Sequence, residues 1–164
     1  MRSQKNRKSL ILVSQAGVIG ALYTVLTVLI GPFGSAAIQC RISEALCVLP
    51  FFTPAAVPGL TIGCLVSNLL TGGLWQDVIF GTLATLIGAV GAYLLRKFPY
   101  LVPLPTVIAN TVIVPMVLAW AYHVEEGLPF LMLTVGIGEV ISAYVLGMLL
   151  LVGIRKKCSH LFDF

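Results

Sequence analysis

Long apolar runs fill most of this chain, and only short polar interruptions separate them. Each of the longest runs approaches or exceeds the roughly 20 mostly apolar residues that a helix needs to cross a bilayer. The pattern therefore predicts several membrane-spanning helices. The clearly apolar runs are Leu10–Ile30, Ala55–Leu70, Val78–Leu95, Leu104–Tyr122 and Leu128–Ile154.

A sixth apolar run, Ile42–Phe52, decides how often the chain crosses the membrane. As an α-helix it would rise only about 16 Å, roughly half the hydrocarbon core, so it has to be extended by irregular backbone or buried by its neighbours. Pro50, Pro54 and Pro58 mark its end and the start of the next helix. The alternative is that residues 32–76 form a re-entrant segment.

Basic residues form three short clusters beside the apolar runs, at residues 2–8, 96–97 and 155–157. The positive-inside rule places all three clusters in the cytoplasm, so an even number of crossings separates each pair. We therefore expect an all-α integral membrane protein with six transmembrane helices and both termini in the cytoplasm. The expected single domain covers residues 1–164, with helices at 10–30, 42–52, 55–71, 77–96, 104–123 and 128–154.

Composition supports a membrane protein and excludes a soluble catalytic module. Of the 164 residues, 59% are hydrophobic and only 10% are charged, and the mean hydropathy is +1.03, whereas soluble domains carry about 25% charged residues. The net charge of +4 resides in the flanking clusters, which indicates membrane topology rather than nucleic-acid binding. The first run is too long for the apolar region of a signal peptide, so we interpret it as a permanent helix.

Glu139, in "TVGIGEVISAYVLG", lies well inside the last apolar run. An isolated carboxylate there costs several kcal/mol, so the side chain has to face protein or water. Gly136, Ala143 and Gly147 share its helical face and would let another helix or a ligand approach closely. We predict that Glu139 binds a ligand, because intramembrane ionisable residues usually mark functional sites. The structural alternative is a pairing with a buried donor such as Arg41.

Three further polar residues lie in or beside the apolar runs. Asn68 and Asn110 carry amides that suit the edge of a planar heterocycle, although either could instead bond to another helix. Pro115 favours a kink in the helix of Asn110, which makes a cavity there more plausible. Asp77 is expected at the start of the fourth helix. A carboxylate there can cap the free backbone N–H groups, which is a sufficient reason for an acidic residue at this position.

The stretch "IQCRISEALCVLP" carries two charges, Arg41 and Glu44, at an end that the topology places outside the cell. Arg41 is the only basic residue expected on that side, and Glu44 follows one helical turn later, in position to pair with it. One interpretation is a salt bridge that anchors the preceding loop. The other is a lid of Gln39, Arg41 and Glu44 that orders when a ligand binds.

Small residues on the first helix, in "SQAGVIGAL", predict a surface for close helix contact. Ala16 with Gly20, and Gly17 with Ala21, form two pairs at four-residue spacing. The partner could be a helix of this chain, of a second copy or of a different membrane protein.

No arrangement for catalysis or metal binding emerges from the sequence. The four cysteines form no CxxC pair, and the two histidines belong to no HExxH or Ser-His-Asp arrangement. A Walker motif is also absent, so the chain cannot hydrolyse ATP by itself. We therefore expect no enzyme activity, no metal site and no cofactor.

Three blocks of the sequence resemble the queuosine-precursor transporter family, QueT. The first runs from "IQCRISEALCVLP" through "DVIFGTLATLIGA", the second is "LPTVIANTVIVP" and the third is "VGIGEVISAYVLG". The resemblance covers nearly the whole chain. Its members are substrate-binding S components of energy-coupling factor (ECF) importers in the bacterial cell membrane. The resemblance implies a six-helix bundle that captures a vitamin-like solute from outside and then docks on a transmembrane scaffold subunit with two ATPase subunits.

The resemblance also implies two surfaces. The loop after the first helix, residues 31–41, would close over the ligand. A small-residue motif on the first helix would dock on the scaffold, matched here by Ala16 and Gly20 with Gly in place of the second Ala, or equally by Gly17 and Ala21.

The implied ligand is a 7-deazaguanine such as preQ1 or preQ0, or queuine. A carboxylate such as Glu139 can accept two N–H groups from the guanine-like edge. An aminomethyl form also carries a cation, which Glu44 or Asp77 could receive at the outer mouth. The candidate binding residues are Glu139, Asn110, Asn68, Gln39, Arg41, Glu44 and Asp77. The alternatives are an S component for a different vitamin, a small homo-oligomeric channel, and a membrane-embedded enzyme, which the lack of clustered Asp or His disfavours.

Overall fold

The computed structural model describes residues 2–30, 41–123 and 126–157. Within these ranges the regular structure is helical and contains no strand. Four helical segments are long and apolar enough to cross a membrane, and two shorter apolar helices complete a bundle of six. This confirms the expected all-α membrane protein. The elements are α1 (Arg2–Ile30), a 3₁₀ helix (Ile42–Phe51), α2 (Ala56–Leu70), α3 (Trp75–Leu94), a 3₁₀ turn (Pro99–Leu101), α4 (Leu104–Ala121), α5 (Leu128–Glu139), a π-helical segment (Val140–Leu146) and α6 (Gly147–Lys157).

The last three elements form one continuous helix, Leu128–Lys157, called the last helix below. It changes to π-helical geometry directly after Glu139. π-helical turns are rare and often lie at functional sites. The sequence did not predict this π-helical segment, which lies directly beside Glu139.

The 3₁₀ helix is the short run that decides the topology, and it lies at the centre of the bundle. All of its residues from Ser43 to Pro50 are buried, and it packs against α1, α3 and the last helix. A 3₁₀ helix rises about 2.0 Å per residue, so this run reaches roughly 20 Å, which is more than an α-helix of the same length would reach. The short segment is therefore both stretched and enclosed by its neighbours.

Glycines allow α1 and α2 to pack with their backbones in contact. A Cβ atom on Gly59 would lie 2.8 Å from the carbonyl oxygen of Ala16, and a Cβ atom on Gly63 would lie 2.8 Å from the carbonyl oxygen of Gly20. Both distances are too short for real side chains, so only glycine fits at these two positions. One of the two small-residue pairs on the first helix thus contacts a helix of the same chain.

A glycine also shapes the turn from α2 to α3. Gly72 adopts a φ of +74°, and its N–H donates to the carbonyl oxygen of Leu69 while the N–H of Gly73 donates to that of Asn68. This pair of bonds is the Schellman motif, which satisfies the last carbonyl groups of a helix and favours glycine at the left-handed position. The turn thus sends α3 back antiparallel to α2.

Side-chain contacts define the two ends of the bundle. At one end, Thr53 donates a hydrogen bond to Gln15 in the first half of α1. The guanidinium of Arg155 lies 5.9 Å from the ring centre of Phe51. At the opposite end, Tyr122 at the end of α4 contacts the first turn of α3. The three basic clusters therefore lie at one end, called the basic end below, as the expected topology requires. The side of the membrane that this end faces stays a prediction.

α1 begins at Arg2 rather than at Leu10, so the helix includes the first basic cluster.

Candidate functional site

Glu139 lies in the interior of the bundle, where α5 meets the π-helical segment. Its side chain is 4% exposed, and its Oε2 atom has no hydrogen-bond partner among the described residues. The hydroxyl of Thr111 on α4, beside Gly136, is also buried without such a partner. A buried carboxylate oxygen without a donor is costly, so a ligand N–H group at this point would be strongly stabilised.

Glu44 is buried inside the bundle, whereas the sequence analysis placed it at an outer mouth. The side chain is 2% exposed, and its Oε1 accepts a hydrogen bond of 2.5 Å from the hydroxyl of Tyr23. The 3₁₀ helix draws Glu44 into the bundle because this whole segment is enclosed by neighbouring helices. A carboxylate in such surroundings needs donors, and Tyr23 supplies one.

Tyr23 is a site residue that the sequence analysis missed. It is 1% exposed and follows Ala16 and Gly20 on the same face of α1, at i+7 and i+3. That spacing was the available signal, because residues on one helical face meet the same neighbours. Thr27, further along this face, donates a hydrogen bond of 2.8 Å to Ser43.

Asn110 joins the two interior acids. Its amide is 4% exposed, and it lies within hydrogen-bonding reach of the carboxyl groups of both Glu44 and Glu139. The two acids, which lie far apart in the sequence, are therefore close enough to share one amide. Glu44 and Glu139 with this bridging amide are called the carboxylate pair below.

Arg41 immediately precedes the 3₁₀ helix, and its side chain is partly buried. Its carbonyl oxygen accepts a hydrogen bond of 3.0 Å from the N–H of Glu44. Glu44, Glu139 and Asp77 lie within electrostatic range of its guanidinium. Gln39, the other member of the expected lid, lies outside the described residues.

Asp77 lies in the first turn of α3 and does not cap it. The helix begins at Trp75, and its N-cap residue, Leu74, makes no side-chain capping bond. Instead, Oδ2 of Asp77 accepts a hydrogen bond of 3.3 Å from the hydroxyl of Tyr122, and that hydroxyl accepts one of 3.2 Å from the N–H of Leu74. Partial burial raises the pKa of Tyr122; the Leu74 N–H opposes this effect and the Asp77 carboxylate adds to it. The phenol therefore remains a donor at neutral pH.

Asn68 on α2 lies beside Asp77. A Cβ atom on Gly81 would lie 3.1 Å from Nδ2 of Asn68 and 3.4 Å from Oδ1 of Asp77, so both polar groups meet above this glycine. The amide also donates to Sγ of Cys64 at 3.6 Å. The structure therefore brings Asn68 together with Asp77.

The small residues of α1 line an apolar groove of about 810 Å³ along α1 and α2. Ala16, Gly17, Gly20 and Ala21 all contribute to it. Gly20 is buried against α2, whereas Gly17 and Ala21 are exposed and a Cβ atom on Gly17 would meet nothing within 4 Å. The second small-residue pair is thus accessible from outside the bundle.

Comparison with known proteins agrees with this architecture. Residues 13–156 match the family model described as QueT transporter. The chain belongs to the QueT transporter family. A curated relative named as a queuosine precursor transporter, QueT from Lactococcus lactis subsp. cremoris (strain MG1363), is 38% identical over 84 residues, or 49% of each chain. The match thus spans about half the length of that relative. No solved structure matches the chain.

Family membership confirms the resemblance that the sequence blocks indicated. The chain is a multi-pass membrane protein of a transporter family, which is not a family of enzymes. An interior site with buried carboxyl groups suits a transporter of small molecules, because intramembrane ionisable residues typically mark the path or binding site of a solute.

Proposed function

We propose that the chain is the substrate-capture subunit of an ECF-type importer for a queuosine precursor. The observation that carries the proposal is the carboxylate pair, in which Oε2 of Glu139 is buried and receives no hydrogen bond from any residue that the structure describes. The name of the Lactococcus relative supports the substrate class. The lack of a Walker motif in the chain supports the need for separate ATPase subunits.

The carboxylate pair suits the edge of a 7-deazaguanine. The ring N–H and the exocyclic amino group of such a base are adjacent donors, and one carboxylate can accept both. In this proposal Glu139 accepts these two donors, while Asn110, which both donates and accepts, holds the neighbouring carbonyl group. Glu44 adds a second negative charge for a ligand with an ammonium group.

Binding measurements with 7-deazaguanines test the proposal. Calorimetric titration of the purified chain should show saturable binding, and Glu139→Gln should weaken it about 10- to 100-fold, because a hydrogen bond to a charged group is replaced by one to a neutral amide. Glu126→Gln, at an exposed acid in the loop before α5, is the matched control and should bind as the wild type does. Unchanged affinity in Glu139→Gln would remove Glu139 from the site.

A panel of other ligands separates this proposal from an S component for a different vitamin. Riboflavin, folate and thiamine should fail to displace a bound 7-deazaguanine at concentrations well above its Kd. Displacement by one of them with higher affinity would keep the transport class and replace the substrate.

The groove along α1 and α2 is proposed as the surface that docks on the scaffold subunit. Its accessible small residues, Gly17 and Ala21, would allow an apolar partner helix to approach closely within the bilayer. Gly17→Trp should abolish co-purification with the scaffold and ATPase subunits while ligand binding persists. Gly153→Trp, at a glycine of α6 with equally open surroundings, should leave co-purification intact. Co-purification only with further copies of this chain would favour the homo-oligomeric channel.

A further inference from the structure

The hydroxyl of Thr106 on α4 is buried but has no hydrogen-bond partner among the described residues, and its side chain is 2% exposed. Other threonines satisfy their hydroxyls within their own helix. Those of Thr27, Thr61 and Thr85 each donate to the carbonyl oxygen four residues earlier. Thr106 lies in the first turn of α4, and Val102, four residues earlier, precedes the helix. Its hydroxyl is therefore left for another partner.

Close packing on α3 holds Thr106 in the interior of the bundle. A Cβ atom on Gly88 would lie 2.6 Å from the hydroxyl oxygen of Thr106 and 2.8 Å from its Cα atom, so only glycine fits at this position. The thiol of Cys47 lies nearby, but it donates to the carbonyl oxygen of Ala143 at 3.6 Å. The hydroxyl of Thr106 makes no hydrogen bond with this sulfur, which is in any case a weak acceptor.

The packing of α4 on the last helix places Thr106 near Glu139. A Cβ atom on Gly136 would lie 3.3 Å from Cγ2 of Thr111, so these two residues are level with each other. The two helices follow each other through a short connection and pack side by side, so they run antiparallel. Glu139, three residues after Gly136, is then level with the midpoint between Thr106 and Asn110, about 3 Å along the axis from each.

The interior thus holds two polar groups without partners at nearly the same level. They are the hydroxyl of Thr106 and Oε2 of Glu139, and both side chains are more than nine-tenths buried. Asn110, one turn after Thr106 on the same face of α4, lies beside both. Buried polar groups nearly always have a partner. Two such groups around one amide therefore indicate a ligand that meets all three side chains.

A substituted 7-deazaguanine has a polar group in the right place for Thr106. In the proposed function, Glu139 accepts the ring N–H and the amino group, and Asn110 holds the carbonyl group. The substituent on carbon 7 lies next to this carbonyl, on the same edge of the fused rings. Side chains four residues apart on a helix have Cβ atoms about 5–6 Å apart. The Thr106 hydroxyl then meets the substituent and can donate to a nitrile nitrogen or accept from an ammonium group.

We infer that Thr106 is a further ligand-binding residue, whose hydroxyl binds the polar substituent on carbon 7 of a deazaguanine. Thr106 thereby makes the site selective for 7-substituted deazaguanines over the unsubstituted base. The inference rests on the proposed function, because it takes a 7-deazaguanine as the ligand and places its carbonyl group at Asn110.

Two neutral probes that differ only in the substituent test this role, namely 7-cyano-7-deazaguanine and unsubstituted 7-deazaguanine. Affinities are measured by calorimetric titration of the full chain, and that of the weaker ligand by displacement of the tighter one. Thr106→Val removes the hydroxyl and nearly keeps the shape. It should weaken binding of the cyano probe about three- to tenfold and change that of the unsubstituted probe by less than about twofold.

Two control variants accompany this measurement. Thr61→Val removes a hydroxyl that donates to the carbonyl oxygen of Val57 in its own helix, and it should leave the ratio of the two affinities unchanged. Thr106→Ser keeps the hydroxyl and should also keep the wild-type ratio. A ratio lowered equally in Thr106→Ser and Thr106→Val would show that the methyl group matters rather than the hydroxyl, and would overturn the inference.

The thermal stability of the ligand-free protein gives a second readout. Because the hydroxyl of Thr106 has no partner, Thr106→Val should unfold at the wild-type temperature or above it. A clearly lower midpoint would show that the protein itself satisfies the hydroxyl, which would overturn the inference.

The outcomes also separate the inference from the proposed function. An unchanged affinity ratio in Thr106→Val, or an equal loss for both probes, would overturn the role of Thr106 alone. Binding of neither probe by the folded wild type would overturn the proposed function, and the role of Thr106 with it. If Thr106→Val does not fold, Thr106→Ala is measured by the same affinity ratio.

Discussion

The hydroxyl of Tyr23 donates a 2.5 Å hydrogen bond to Oε1 of Glu44, which lies 21 positions later in the chain. Both side chains are almost completely buried, at 1% and 2% exposure. The bond connects α1 to the 3₁₀ helix and orients one member of the carboxylate pair. The same first helix lines the proposed docking groove, so the proposed ligand site and the groove share one helix.

Tyr23→Phe should destabilise the protein because it removes the donor and leaves a buried carboxylate oxygen unpaired. A loss of that kind costs about 1–3 kcal/mol. The free energy of unfolding in detergent, from denaturant titration, measures it. Tyr100→Phe, at a tyrosine that is 72% exposed, should match the wild type. Equal stability of the two variants would show that the hydrogen bond contributes nothing.

Asn110→Asp should damage the site more than its small change in shape suggests. The substitution replaces an NH₂ donor with an acceptor within reach of two carboxyl groups. Three carboxyl groups would then converge in a buried space, so ligand affinity should fall at least about tenfold, as measured by calorimetry. Asn6→Asp, on the exposed first part of α1, is the control. Wild-type affinity in Asn110→Asp would exclude the bridging role.

The bundle could be predicted from the apolar runs because the bilayer leaves few alternatives. Backbone groups in lipid must be satisfied internally, so a chain of long apolar runs forms helices. The 3₁₀ geometry of Ile42–Phe51 could not be predicted in this way. It follows from the tertiary surroundings, in which a short segment is stretched and enclosed by longer helices.

The site could be predicted only in part. Glu139 and Asn110 stood out as polar residues within apolar runs, and the structure brings both to the carboxylate pair. The sequence placed Glu44 at the outer mouth from its position near the end of a run, and the structure buries its side chain in the bundle. Tyr23 was missed because tyrosine counts among the hydrophobic residues, although its hydroxyl must find a partner when buried.

Gly63→Ala should weaken the packing of α1 on α2. The added Cβ atom would lie 2.8 Å from the carbonyl oxygen of Gly20 and 2.9 Å from Cβ of Tyr23. The helices would have to separate, at a cost of about 1–3 kcal/mol in the free energy of unfolding. Gly17→Ala is the matched control, because its added methyl group would meet nothing within 4 Å. A smaller loss of stability in Gly63→Ala than in Gly17→Ala would contradict the packing argument.

Tyr122→Phe should loosen the turn between α2 and α3. The phenol accepts a hydrogen bond from the N–H of Leu74 and donates one to Asp77, so its loss should speed hydrogen exchange of the Leu74 amide about two- to tenfold. Because partial burial raises the pKa of Tyr122, the wild-type contact should persist at neutral pH. The ratio of variant to wild-type exchange rates should therefore stay constant between about pH 6 and about pH 8.

The control for this change is Tyr93→Phe, which keeps the ring that lies 4.4 Å from the guanidinium carbon of Arg96. Tyr93 lies near the other end of α3, so its hydroxyl cannot protect the amide of Leu74. Hydrogen exchange of that amide should match the wild type in Tyr93→Phe. If Tyr122→Phe also left the exchange unchanged, protection at Leu74 would have to come from a group other than the phenol of Tyr122, and the contact with Asp77 would not hold the turn.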